Sequence, residues 1–207
     1  MTTEQSQRGA RTIRLVEGYE LVPPVVRLLA AGEPVGVDAL AAAAGRPASE
    51  VLDLLAKQPG VEWDDDGRIV GFGLTLRPTP HRFTFDTTTV YGWCASDTLM
   101  FPIILGTEGV VESECAATGG PIRVTLGPHG VRSVEPAEAV VSEVRPQDVV
   151  RDVRTEICGL GHFFSSREAA AEWVAAHPEG QVNTVHEDFM VHRAVFEELE
   201  WGTGRTE

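Results

Sequence analysis

The sequence predicts an α+β chain. A winged-helix-like unit spans residues 19–80, and a domain of mostly antiparallel β-sheet with helices packed on it spans 81–207, after a polar arm at 1–18. Three observations carry this reading. Three short apolar segments at helical period end on glycine and run into two strand-like segments around an Asp-Gly turn. Beyond Pro78 and Pro80, segments of alternating or β-rich character follow one another between glycine turns. The last 40 residues then return to helical period.

Taken in order, "LVPPVVRLLAAG" predicts a first helix stopping at Gly32, "VDALAAAAG" a second closed by Gly45, and "ASEVLDLLAKQPG" a third closed by Pro59-Gly60. "VEWDDDGRIVGFGL" reads as a hairpin turning at Asp66-Gly67. "LTLRPTPHRF" is the connection between the two units. "HRFTFDTTTVYGW" alternates as one strand, "CASDTLMFPIILG" is a short apolar helix, and "GVVESECAATGGPIRVTLG" is a hairpin turning at Gly119-Gly120. "AEAVVSEV" adds a strand, and "VVRDVRTEICGLGHFF" ends in a glycine-punctuated stretch. "SSREAAAEWVAAH" opens with Ser165 and Glu168 in capping-box spacing, and "EDFMVHRAVFEELEW" is a closing amphipathic helix.

Composition narrows the partners. With 31 acidic residues against 17 Lys and Arg, the net charge of -14 repels phosphate backbones and anionic lipid surfaces, which argues against nucleic acid and membrane. No apolar run approaches the roughly 20 residues that span a bilayer. The first residues show no apolar stretch of secretory type, and three widely spaced cysteines do not make a disulfide framework. Free thiols and a cytoplasmic location are the expectation. The winged-helix unit suggests DNA binding, but Glu50, Asp53 and the acidic wing tip Asp64–Asp66 oppose it.

Cysteine chemistry is the sharper signal. In "YGWCASDTLMFP", Cys94 stands in the first turn of a helix, where the dipole favours thiolate. Asp97 lies one turn on along the same face, where its charge opposes that shift, so the two are expected to hold one proton between them. Cys115, beside Ala116 and Ala117 in a hairpin strand, reads as a small buried hydrophobe. Cys158 sits in "EICGLGHFF", where Gly159 and Gly161 permit close approach of another group. Cys158 and His162 form half a zinc site with no second half, and no oxyanion motif supports a cysteine-histidine hydrolase.

Taken together, "YGWCASDTLMFP", "CAATGGPIRV" and "CGLGHFFSS", with "REAAAEWVAAHP" and "VHEDF", resemble the organomercurial (alkylmercury) lyases over nearly the whole chain. The resemblance implies catalytic residues Cys94, Asp97 and Cys158, a structural Cys115, and an N-terminal unit that does not read DNA. Ser96 stands where a larger apolar residue is common, and Gly159 where some members have a further cysteine. It also implies protonolysis. Two thiolates capture the soft R–Hg⁺ ion, Asp97 passes a proton to carbon, and a hydrocarbon leaves while Hg(II) stays on Cys94 and Cys158, with Asp97 beside it. Tyr91, Trp93 and Phe101 are candidates for the wall around the organic group. No cofactor is expected; cytosolic thiols, or the cysteines of a mercuric reductase, would remove the mercuric ion. Two other readings are a lyase-like protein acting on another organometal or thiol substrate, and a metal-responsive winged-helix regulator.

Overall fold

A computed structural model describes residues 17–144 and 150–201, so the arm predicted at 1–18 lies almost wholly outside the described residues. A 3₁₀ turn, Tyr19–Leu21, leads into helix α1 (Val22–Leu29), with Pro23 in the first turn where a missing N–H costs nothing. Helix α2 (Val37–Ala44) ends on Gly45 at φ 65, and α3 (Ala48–Leu55) follows. Leu21, Val25, Leu29, Leu40 and Val51 are wholly buried between them. Burying side chains of this size contributes about 1.5–3 kcal/mol each, which holds three otherwise marginal helices together.

Strands β1 (Glu62–Trp63) and β2 (Ile69–Phe72) pair antiparallel as predicted. Asp64 Oδ1 accepts from the N–H groups of Asp66 (3.0 Å) and Arg68 (2.8 Å), and Gly67 supplies the φ of +73° the turn requires. A short strand, β3 (Leu74–Thr75), comes next. It pairs with β2 on one side and with β5 (Thr88–Gly92) on the other. The wing hairpin is thereby continuous with the larger sheet, whose order is β1-β2-β3-β5-β4-β6-β7-β8.

The segment 81–93, expected as one strand, folds back as β4 (His81–Phe85) and β5. The reversal falls at Asp86, with φ 46, a conformation that aspartate tolerates better than most residues. Threonines on both sides continue the alternation through the turn and hide it. β6 (Gly109–Glu114) and β7 (Pro121–Gly127) form the predicted hairpin. β8 (Gly130–Glu135) was not expected; it is an edge strand without a buried face and so carries no apolar alternation. The second sheet has β9 (Val140–Val144) between β10 (Phe163–Phe164) and β11 (Gly180–Thr184).

Helix α4 (Ala95–Leu105) lies at the centre, buried along nearly its whole length, which accounts for its apolar character on every face. It packs against α1, the strands and α7 (Val185–Leu199). Two short segments, α5 (Val153–Glu156) and the 3₁₀ turn Cys158–Leu160, lead to β10. Helix α6 (Ala171–Ala176) starts later than the Ser165–Glu168 spacing predicts. Ser166 Oγ, not Ser165, accepts from the Ala169 N–H (3.3 Å), and residues 166–170 form tight turns before the helix begins. The working capping box belongs to α7, between Thr184 and Glu187. No helix among the described residues is long and apolar enough to cross a membrane.

Candidate active site

The site is built where β5 turns into α4. Gly92 ends the strand; a Cβ there would lie 2.8 Å from Thr98 Cγ2 and 3.2 Å from Asp97 Cβ, so only glycine lets the helix fold back this closely. Cys94 caps the helix in extended conformation, and its N–H donates to Asp97 Oδ2 at 3.0 Å. Thiol and carboxyl thus stand in the reciprocal arrangement of a capping box, at the helix start as the sequence predicts.

Cys158 arrives from the other side on its 3₁₀ turn. Gly161 N–H donates to Cys158 O (3.0 Å), while Gly161 O accepts from the Ala95 N–H (3.1 Å). A Cβ on Gly161 would stand 2.9 Å from Cys94 Cβ and 3.4 Å from its sulfur. The turn rests backbone-first on Cys94, the close approach that the glycine pattern suggested. Ser142 Oγ donates to Leu160 O at 2.9 Å, and the Val153 N–H donates to Pro59 O at 3.0 Å, fixing the segment against both β9 and the N-terminal unit.

One donor atom from each of Cys94, Asp97 and Cys158 lies within 4.8 Å of the others, and all three residues are buried. A hydrogen bond to Cys158, then burial, then the Asp97 charge hold the Cys94 thiol well above its usual range. Burial pushes the Asp97 carboxyl up, offset in part by hydrogen bonds from Cys94 and by the positive His192. Burial thus raises both groups, and the Asp97 charge adds to the rise of the Cys94 thiol.

Of the expected wall residues, Trp93 packs with both cysteines and Val153 in a small apolar cluster. Phe101 belongs to the main core, edge-on to Phe83 at 5.8 Å, and Tyr91 is half-buried on β5 opposite Thr75 and Arg82. Cys115 is buried in the β6–β7 turn, where its sulfur accepts from the Ser165 N–H at 3.3 Å. His162 is not grouped with Cys158; its N–H donates to Ser142 Oγ.

Sequence reasoning missed the residues through which the N-terminal unit reaches the site. Gly73, at φ +73 between β2 and β3, accepts from the Trp93 N–H (3.0 Å), and a Cβ on it would lie 3.5 Å from Asp97 Oδ1. Gly60 lies against the Trp93 ring. Arg154 stacks over that ring at 5.7 Å and is ion-paired with the buried Glu62, which accepts from Thr75 Oγ1 at 2.6 Å. The one visible signal is an acid at an otherwise apolar strand position.

Comparison with known proteins gives the family. The family model described as alkylmercury lyase matches residues 74–197, and the helix-turn-helix domain of alkylmercury lyase matches residues 6–73. The chain belongs to the alkylmercury lyase family. It is 46% identical to the alkylmercury lyase of Bacillus cereus over 194 residues, covering 92% of this chain and 85% of that protein. To the alkylmercury lyase of Streptomyces lividans it is 46% identical over 176 residues, covering 85% and 81%. The crystal structure of the mercury-bound form of MerB2 shares the fold, with a TM-score of 0.77 at 23% identity over 95% of this chain and 99% of that one. As an alkylmercury lyase, the enzyme cleaves carbon–mercury bonds. The two family matches meet at Gly73 and Leu74, in the turn that touches Asp97.

Proposed function

We propose that Cys94, Cys158 and Asp97 carry out the protonolysis, and that residues 81–207 hold the catalytic apparatus while residues 19–80 wall it in. The observation supporting this is the buried meeting of two thiols and one carboxyl within 4.8 Å. Mercury(II) is soft and selects sulfur over oxygen or nitrogen. One cysteine sulfur replaces the ligand X of R–Hg–X, its thiol proton leaving with X as HX, and the second raises the coordination number. The added electron density makes the carbon basic. The proton shared by Cys94 and Asp97 then passes through Asp97 to that carbon, because no free carbanion can leave into water. R–H departs, and Hg(II) remains between the two sulfurs with the Asp97 carboxylate beside it.

The reaction neither oxidises nor reduces the protein, so this scheme uses no organic cofactor. Two external thiols restore the resting state by taking the metal as a dithiolate, in the cytoplasm where such thiols are abundant; the cysteines of a mercuric reductase would serve the same end. Trp93 forms the apolar wall nearest the sulfurs, with Tyr91 and Phe101 farther off. The test is hydrocarbon release from methylmercury and phenylmercury in excess thiol, followed by gas chromatography. Stoichiometric methane and benzene are expected, and their absence from folded protein would rule the scheme out.

A further inference from the structure

Beside the sulfur pair, on the seam between the N-terminal unit and α5, lies an open cleft of about 380 Å³. Its lining includes Gln58 and Glu62 from one side, Arg151, Asp152 and Arg154 from the other, and Trp93. The same Trp93 indole packs with Cys94 and Cys158, so the cleft and the reaction site share a wall. Cys94 and Cys158 are only 5–6% exposed, and a reagent that removes mercury has to approach past such a wall. A space of this size suits a small molecule.

The charges here are not equivalent. Glu62 is already held by Arg154 and Thr75. Asp152 turns inward to cap α5, accepting from the N–H groups of Arg154 (2.9 Å) and Thr155 (3.1 Å) and from Thr155 Oγ1 (2.7 Å). Arg154 is taken up by Glu62 and the Trp93 ring. Arg151 differs. It is exposed, and its guanidinium has no carboxylate partner among the described residues, although its backbone N–H donates to Glu156 at 3.0 Å. An uncommitted guanidinium selects a carboxylate through paired, charge-assisted hydrogen bonds. In a chain of net charge -14 it is also the local feature that lets an anion approach.

We propose that this cleft is the docking site for a carboxylate-bearing small thiol that removes mercury, with Arg151 holding the carboxylate. The proposal rests on the two-thiolate scheme above. In the step it serves, the thiol sulfur forms a bond to Hg(II), one mercury–cysteine bond breaks, and the thiol proton passes to the released cysteine. A second thiol repeats the exchange. Two R′SH and the mercury-loaded enzyme thus give Hg(SR′)₂ and two cysteine thiols, with no change of oxidation state.

Steady-state benzene release from saturating phenylmercury would be measured against 3-mercaptopropionate, its methyl ester and glutathione, in the wild type, Arg151→Gln and Arg151→Glu. Thermal melting confirms that the variants fold. The KM for the two carboxylate thiols is expected to rise about two- to fivefold in Arg151→Gln, and further in Arg151→Glu, while the KM for the ester stays constant. The difference should shrink as salt is raised. An unchanged acid-to-ester KM ratio in both variants, or an equal rise for acid and ester, overturns the proposal. Single-turnover benzene yield separates this outcome from failure of the scheme itself: it stays stoichiometric if only the docking site is wrong, and is lost if the two-thiolate chemistry is wrong.

Discussion

Three cysteines of one chain differ in what touches them. Cys94 and Cys158 face each other across a buried gap with a carboxyl beside them, whereas Cys115 meets backbone groups of its own turn and the Ser165 N–H. Cys94→Ser or Cys158→Ser is therefore expected to abolish hydrocarbon release, because an alcohol oxygen is a poor ligand for a soft ion. Cys115→Ala is expected to keep the specific activity of the folded protein and to lose about 1–2 kcal/mol of stability in urea unfolding. Near-normal turnover by either serine variant, or an inactive but folded Cys115→Ala, would show the thiols to be misassigned. Another buried side chain sets a pH limit. His81, with Nδ1 2.9 Å from Ser113 Oγ and its ring beside Phe163, has its pKa lowered to about 4 by burial and the His162 charge. The unfolded chain takes up a proton near 6.5 that the folded one refuses, so this contribution is whole above pH 6.5 and is lost as pH falls toward 4. The loss is about 3 kcal/mol. Urea midpoints at pH 7 and 4.5 should show a smaller difference in His81→Gln than in the wild type, and equal differences would refute the assignment.

At the scale of elements, the first turn of α4 and the Cys158 turn are fitted to each other through glycine. Gly161→Ala sets a methyl 2.9 Å from Cys94 Cβ, inside any real contact distance, so the turn must lift away from Cys94. The expected result is at least about a tenfold loss in hydrocarbon release, since small misplacements of reacting groups are costly. The melting temperature should fall only modestly, and full activity would show that the approach is not needed. The three N-terminal helices, the wing hairpin and α7 were legible from their periods with stop or capping signals, and α4 from its apolar run closed by Gly106. β8 and β11 were not, because neither has a fully buried residue to impose alternation. The break at Asp86 was hidden by threonines that suit a strand as well as a turn. The Cys94–Asp97 pair could be read from helical spacing alone, and Gly161 pointed to a close contact without naming its partner. The meeting of Cys158 with Cys94 needed either tertiary structure or the family resemblance, since 63 residues and, among the described residues, four strands intervene.

For the whole molecule, the continuity of the eight-stranded sheet through β3 matters most. It carries Gly73, Glu62 and Gly60 of the helix-turn-helix unit to the far wall of the site, where they meet Asp97, Arg154 and Trp93. In this chain, a winged-helix shape covers two thiols and a carboxyl whose hold on a proton burial strengthens. The account stands or falls on that proton. Asp97→Asn keeps the size and the bond from the Cys94 N–H but cannot deliver a proton, while both thiols remain. The decisive measurement pairs gas chromatography of benzene or methane with a mercuric-ion titration of the same variant. The account predicts a loss of hydrocarbon release of at least about 10²–10⁴-fold with Hg(II) binding retained. Full turnover by the variant would contradict it by placing the proton donor elsewhere, and loss of Hg(II) binding would make Asp97 a ligand or a structural residue instead.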